Sequence, residues 1–517
     1  MIDPFEPYAN EPYADFSDPR VRDGFQAELA DVRQRLGGDR PLVIGGERIT
    51  TGTWIESWDP SRKDRLVGRA AAAGPEHVEA AFAAAQAAYP AWRDAGMAHR
   101  ARALVKLAAV LRRRKWELAA WEVFEAGKSY AEAEGDVAEA IDFCEYYARQ
   151  AMDLDERLET YPWPGEENTL TLQPLGVGLV IPPWNFLLAI LVGTTVGPVV
   201  VGNTVLLKPS PKTPIIAGIF VDLLDEAGFP PGVVNLLTGE DAVLGDALVD
   251  DPRTRFINFT GSLATGLRIH ERAAKVHPGQ GFLKRTMLEM GGKDALVVDE
   301  TADLDAAADA AVASAFGFQG QKCSAMSRLI VVDDVHDDLL DRVVRRTEAL
   351  RVGPAEENPD VAAVIDGVQF EKIRGFVERA AADFEVRVGG GADDTEGWYV
   401  DPTIVVDVDP TSELAQEEVF GPVMAVLRAR DFDHALELAN GTDYALTGGV
   451  FSRSRARIER ARREFRVGNL YVNRKITGSL VGVQPFGGFD LSGTNAKAGG
   501  PDYLRLFLEA KTVTERF

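Results

Sequence analysis

The chain has 517 residues, 46% of them hydrophobic, which is enough for two or three domains with full-sized buried cores. Acidic residues outnumber basic ones by 80 to 56, a formal charge of -24, and such a surface repels nucleic-acid phosphates and anionic membranes alike. Two cysteines far apart in sequence, Cys144 and Cys323, argue against a disulfide framework and for a reduced, cytoplasmic setting.

The opening MIDPFEPYANEPYADF lacks both the basic and the apolar region of a signal peptide. Residues 1 to about 36 are polar and acidic and read as an arm wrapping the surface. From Glu76 to Gln150 the pattern is helical and Ala-rich. The run Arg112-Arg113-Arg114-Lys115 inside it is expected to be a solvated face. Residues 157–174 look like strand outside the neighbouring units. Then GVGLVI (176–181), NTVLLK (203–208), VVNLLT (233–238) and RFINFT (255–260) are β-rich runs, each followed by a loop and an amphipathic helix. That alternation predicts βαβ units and a mostly parallel sheet. The apolar stretch Phe186 to Leu207 could span a bilayer by length, but Pro198, Gly202 and Asn203 break it into a helix and a strand. A second alternating block starts near Asp294, so two α/β domains should join near Gly291-Gly292. The tail FLEAKTVTERF reads as strand.

Cys323, in FGFQGQKCSAMSRLIV, follows Gly317 and Gly320 and enters a strand-like run, with Lys322 beside it. Free backbone amides at such a turn are expected to lower the thiol pKa toward neutrality. Cys144, between aromatic residues of a helix, reads as core. Glu289, in TMLEMGGKDALVV, is either a buried carboxylate paired for structure or a general base whose pKa burial raises. Asn185, in VIPPWNFLLAI, can cap a helix or donate to an oxyanion. Gly261 and Ser262, in FTGSLATG, lie at a strand–helix turn that suits a pyrophosphate or serves only the turn. Lys208 ends a strand at the edge where such folds bind nucleotides. No CxxC, HxxxH or HExxH spacing occurs, so no metal is expected. A cysteine hydrolase would need a histidine partner, and none of His77, His99, His270, His277, His336 and His434 adjoins a recognisable motif. A non-catalytic protein on the same scaffold would tolerate loss of the nucleophile or base, yet both are present.

Together PWNF, FTGS, LEMGGKDA, FQGQKCSA, EEVFGPV (417–423) and PFGGF…SG (485–493) resemble the aldehyde dehydrogenase superfamily, in order and from about residue 40 to the end. The resemblance implies an α/β fold with two Rossmann-type parallel-sheet domains and a small β flap for oligomerisation. The NAD(P)-binding domain would take 1–156 and 175–290, the catalytic domain 291–490, and the flap 157–174 with 491–517. It implies Cys323 as nucleophile, Glu289 as general base and Asn185 as oxyanion donor. Ile181, Trp184, Lys208, Ser210, Gly261, Ser262, Glu418 and Phe420 match positions that contact the cofactor. NAD-preferring relatives often carry a Glu three residues after the strand lysine, where this chain reads Lys208-Pro209-Ser210-Pro211; NAD is expected, with NADP possible. FINFTGS, Ser324, NRKITGSLVGVQPFGGF and SGTNAKAGGPDYL are most similar to the branch that oxidises L-glutamate γ-semialdehyde to glutamate. That likeness puts Phe186, Ser324, Gly478, Ser479 and Phe486 around the substrate, with Ser479, larger than the Ala expected from the family, expected to add a hydrogen bond. Another semialdehyde, such as succinate semialdehyde, is the alternative. A homodimer or larger homo-oligomer is implied, and no nucleic-acid or membrane partner.

Overall fold

Each β-rich run of residues 176–260 becomes a strand, shortened by a residue or more at its ends, because its apolar residues are buried on both faces of a helix-covered sheet. The computed structural model describes residues 7–154 and 160–517. The first seven-stranded sheet has the order 285–289, 256–260, 177–181, 204–207, 234–236, 42–44, 47–49. Its first five strands are parallel and the hairpin 42–49 closes one edge antiparallel. The chain runs outward from Val177–Ile181 to Val234–Leu236, then returns to the other side through Phe256–Thr260. That reversal makes a crevice at the carboxyl ends of 177–181 and 256–260.

The second seven-stranded sheet has the order 385–388, 403–406, 423–429, 326–332, 294–298, 447–451, 469–472. All are parallel except the edge strand Glu385–Val388. Strand Arg285–Glu289, at the edge of the first sheet, is separated from Asp294–Val298, near the centre of the second, only by the Gly291-Gly292 crossing. The carboxyl edge of one sheet therefore faces the amino edge of the other. Glu166–Pro174 pairs antiparallel with Leu508–Arg516 as a separate two-stranded ribbon. Residues 157–159, part of the anticipated flap, lie outside the described residues.

Three readings change. Residues 1–36 are not simply an arm: Pro19–Gln34 is a helix, capped by Asp18 with Pro19 in its first turn, and buries Phe25, Leu29 and Val32. Spaced apolar residues among many charges hid it. A three-stranded sheet of 38–40, 62–71 and 54–59 was also unforeseen, although Trp54–Asp59 alternates buried with exposed positions. The basic run is less solvated than expected: Arg112 pairs with Glu11 at 2.8 Å, Arg114 with Glu117 at 2.7 Å and Lys115 with Glu134 at 2.5 Å. The stretch 186–207 is a helix, Ala189–Val200, and a strand, Thr204–Leu207. Among the described residues no helix is long and apolar enough to cross a membrane.

Gly178 pairs with Phe256 across the crevice strands, and a Cβ there would lie 2.0 Å from the Phe256 ring. That ring packs edge-on against Phe507 at 5.2 Å. Gly178→Ala should therefore overpack the sheet and cost about 1–3 kcal/mol, read as a lower denaturant midpoint.

Candidate active site

The crevice edge brings Cys323, Glu289 and Asn185 to one place. After helix Leu304–Phe316 the chain turns through Phe318, Gln319 and Gly320, all with left-handed φ of 49°, 55° and 65°. Gln319 is held in that costly conformation by amide bonds to the carbonyls of Gly127 (3.0 Å) and Ala363 (2.8 Å). Gly320 packs on Gly421, where a Cβ would lie 2.3 Å from the Gly421 oxygen. The turn delivers half-buried Cys323 three residues before strand Met326–Val332. Asn185 is buried, and its Nδ2 donates to the Gln321 carbonyl at 3.0 Å, two residues from the sulfur. It does not cap the helix, because Asp136 Oδ1 accepts the Ala189 amide at 2.8 Å.

Glu289 ends its strand with a carboxylate that accepts the Gly488 amide at 3.3 Å and the Ala496 amide at 3.2 Å. Burial pushes it up to about 8, against the opposing pull of those amides and of Lys497. The two glycines that follow bring the site together. A Cβ on Gly292 would lie 2.6 Å from the Cys323 carbonyl oxygen, and one on Gly291 would lie 2.3 Å from Glu418 Oε2. Glu418 in turn accepts the Gly292 amide at 3.0 Å.

The expectation of a lowered thiol pKa is overturned. Burial, then the negative charges of Asp294, Glu418 and Glu289, hold the Cys323 thiol well above its ordinary value, and the Ser324 amide offsets only part of this. Lys322 brings no relief, because its ammonium is paired with Glu132 at 2.6 Å. Cys144 is fully buried and its thiol is pushed up as well.

Around the crevice, Ile181 ends its strand and Trp184 meets Phe420 edge-on at 5.4 Å. Phe420 is left-handed (φ 59°), its carbonyl held by Gln369 Nε2 at 2.7 Å. Lys208 is buried just after Thr204–Leu207 and binds the Pro209 carbonyl and the Asp241 carboxylate. Ser210 Oγ accepts the Lys212 amide at 3.3 Å. Gly261 donates to the Glu289 carbonyl at 3.0 Å, so its turn ties two strands together. Ser262 caps helix Leu263–Ala273 through the Thr265 amide, and the remaining first-turn amides lie at the carboxyl edge of the sheet. A helix N-terminus, a buried lysine, a carboxylate and an aromatic pair suit the phosphates, ribose and flat ring of a dinucleotide.

On the other flank, Phe186 lies under the Lys128 ammonium at 5.1 Å. Ser324 is buried, with its carbonyl near Thr447 Oγ1 at 3.4 Å. Gly478 (φ 75°) and Ser479 lie on the loop after Asn469–Val472; the Ser479 hydroxyl is engaged by Tyr471. Phe486 bonds to the Ala498 carbonyl at 2.9 Å. Sequence reading missed Asp241, Lys128 and Lys497. Asp241 had a weak signal, an acidic residue after Gly239 at a strand-to-helix turn. Lys497 donates to Gly468 O (2.6 Å), Gly487 O (2.9 Å) and Asn469 Oδ1 (3.1 Å), pinning the loop that holds Glu289. No short motif marks such a latch.

The chain belongs to the aldehyde dehydrogenase family, whose model matches residues 48–513. It is 54% identical over 513 residues to the 1-pyrroline-5-carboxylate dehydrogenase of Geobacillus kaustophilus, covering 99% of this chain and 100% of that protein. It superposes on the crystal structure of 1-pyrroline-5-carboxylate dehydrogenase from Thermus with bound NAD at a TM-score of 0.99, with 52% identity and 100% of both chains covered. It also matches proline utilization A from Bdellovibrio bacteriovorus at 43% identity and a TM-score of 0.97, covering 100% of this chain and 54% of that one.

Because the thiol is held protonated, iodoacetamide should label Cys323 more slowly at pH 7 than it labels a free cysteine. The rate should climb about tenfold per pH unit through the alkaline range, as mass spectrometry of the Cys323 peptide would follow.

Proposed function

We propose that this chain oxidises L-glutamate γ-semialdehyde, the open form of 1-pyrroline-5-carboxylate, to L-glutamate with NAD, as a step of proline degradation. The observation that carries this reading is the meeting of Cys323, Glu289 and Asn185 where the two sheets face each other. The names of its relatives point to the substrate. The cysteine hydrolase alternative lacks support, because the groups acting on the thiol are Asp294, Glu418 and Glu289, with no histidine among them.

The Cys323 thiol releases its proton to solvent, and the thiolate sulfur bonds to the aldehyde carbon while the carbonyl π pair moves onto oxygen. The alkoxide formed is held by Asn185 Nδ2 and the Cys323 amide. NAD, when bound, supplies the hydride acceptor that lets this thiohemiacetal become a thioester. Glu289 takes a proton from water, whose oxygen bonds to the thioester carbon; the carbon–sulfur bond breaks and glutamate leaves. The first sheet and its helices serve as the cofactor-binding domain. The strand-to-helix turn at Gly261 and Ser262, ahead of helix Leu263–Ala273, would hold the diphosphate, Lys208 and Ser210 the adenosine ribose, and Glu418 the nicotinamide ribose. Ile181, Trp184 and Phe420 would pack around the cofactor. Asp241, bound to Lys208, supplies a carboxylate near the adenosine end from a different element than the one that carries it in NAD-preferring relatives. It disfavours the 2′-phosphate of NADP. The second sheet serves as the catalytic domain, with Ser324, Gly478 and Ser479 taking the amino-acid end of the substrate and Phe186 and Phe486 flanking its aliphatic part. The ribbon of 166–174 and 508–516 is the oligomerisation flap of a homodimer or larger assembly, in the cytoplasm.

NADH formation with glutamate γ-semialdehyde, compared with succinate semialdehyde and propanal, tests the substrate; a wide preference for either of the latter two defeats it. Asn185→Ala should slow turnover by about 10²–10³, and near-normal turnover would refute the oxyanion role. A carboxyl group at about 8 is protonated, hence idle as a base, below that pH. The rate of the hydrolytic half should therefore rise from pH 6, reach half its maximum near pH 8 and level about one unit higher. Glu289→Gln should abolish that rise and accumulate acyl-enzyme, seen by quench and mass spectrometry.

A further inference from the structure

The loop from Asn473 to Gln484 has no regular secondary structure, and its shape rests on left-handed positions at Asn473, Gly478 and Gly482 together with outside contacts. Arg474 ties the carbonyls of Thr477 (3.0 Å) and Gly478 (3.2 Å), and Ser314 Oγ accepts the Ile476 amide at 3.1 Å. Beyond Ser479 the contacts come from the other end of the chain. The Tyr8 hydroxyl donates to the Val481 carbonyl at 2.9 Å, and Asn10 Nδ2 lies 3.0 Å from the same oxygen. Asn10 Nδ2 also reaches the Tyr8 oxygen at 2.8 Å and Asp142 Oδ2 at 2.8 Å. Asp142 Oδ1 accepts the Glu11 amide at 2.6 Å.

A polar chain therefore runs from Asp142, on helix Tyr130–Leu154, through Asn10 and Tyr8 to Val481. The Tyr8 ring adds packing. It meets Tyr146 edge-on at 5.2 Å, and the two rings leave Gly482 so little room that a Cβ there would lie 3.0 Å from each. On the opposite side Gly499 closes on Val481, accepting the Gly482 amide at 2.9 Å. The segment is anchored along its length: Glu11 pairs with Arg112, and the Ala14 amide binds Glu134 Oε1 at 3.1 Å. Val481 is thus clamped two residues from Ser479 by a segment more than 460 residues away in sequence.

We propose that residues 8–11 form a strap that holds the 478–482 loop in its substrate-binding shape, making Tyr8 and Asn10 positioning residues for the amino-acid end of the substrate. The proposal rests on the substrate reading above, in which Gly478 and Ser479 take that end. A loop released at Val481 would still leave Cys323, Glu289 and Asn185 in place, since none of their bonds passes through the strap. The loss should then fall on binding of the α-amino acid group and spare the aldehyde chemistry.

The test uses the full chain with saturating NAD, in wild-type form and as Tyr8→Phe, Asn10→Ala and the double variant. KM and kcat are measured for glutamate γ-semialdehyde and for propanal, which has no amino-acid end, alongside the thermal midpoint. Tyr8→Phe keeps the ring on Tyr146 and removes only the hydroxyl, so it reads the strap even if the double variant fails to fold. One lost hydrogen bond should raise KM for the semialdehyde roughly three- to tenfold, with kcat and both propanal constants within about twofold of wild type. An unchanged semialdehyde KM in Tyr8→Phe overturns the strap. Equal losses on both substrates overturn it too, because they would mean general destabilisation. Wild-type enzyme with no preference for the semialdehyde defeats the substrate reading, and the strap with it, before any variant is compared.

Discussion

Two residues without side chains set the geometry of the whole site. Between Glu289 and Lys293 the backbone must leave the carboxyl edge of one sheet and enter the other while passing beneath the Cys323 carbonyl and against the Glu418 carboxylate. Gly291 and Gly292 leave room for both approaches, with Cβ positions that would fall 2.3 Å from Glu418 Oε2 and 2.6 Å from the Cys323 oxygen. A side chain at Gly292 would push the Cys323 backbone away from Glu289, and one at Gly291 would displace the Glu418 carboxylate. The crossing is therefore the point where fold and chemistry become the same constraint.

The same closeness dictates the electrostatics. Glu289, Glu418 and Asp294 converge near one thiol in a buried setting, so the protonated forms of the acids and of Cys323 are favoured together. Burial thus opposes ionisation of Glu289 and of the Cys323 thiol alike, and both must lose a proton to act. Lys497 acts on Glu289, and Lys372 and Lys293 on Glu418, but two other lysines of the region are committed elsewhere. Lys322 serves Glu132, and Lys128 serves Glu122 at 3.0 Å and Asp136 in the core behind Phe186. That second pairing has a further effect. Asp136, oriented by Lys128, satisfies the first amide of helix Ala189–Val200 and frees Asn185 to bond the turn before Cys323.

Much of this was legible in residue order. The alternation of β-rich runs and amphipathic helices marked the central strands of both sheets to within a few residues, but not the hairpin 42–49 or the strands 385–388, 403–406 and 469–472. Cys144 read correctly as core, and the motifs around Cys323, Glu289 and Phe420 named the family that the comparisons show. Other features were not legible, for reasons that differ. The helix Pro19–Gln34 was obscured because its buried stripe is only Phe25, Leu29 and Val32 in a strongly charged segment. The thiol's direction of shift was misread because local amides were visible in the sequence, whereas three carboxylates from distant segments were not. Asp241 reaches Lys208 across 33 positions, and Tyr8 reaches Val481 across 473.

The sequence by itself determined the class of fold and the family, and it singled out Cys323, Glu289 and Asn185 with the glycines that their approach requires. These are encoded in local periodicity and in short motifs of reactive and small residues. Only the tertiary structure decided the charge around Cys323, which helix end Asn185 does not cap, what holds Glu289 in place, and which segment clamps the 478–482 loop. Burial and Coulombic interactions depend on distances in space, and the partners that set them lie from tens of positions away, as with Glu289 and Cys323, to hundreds, as with Tyr8 and Val481.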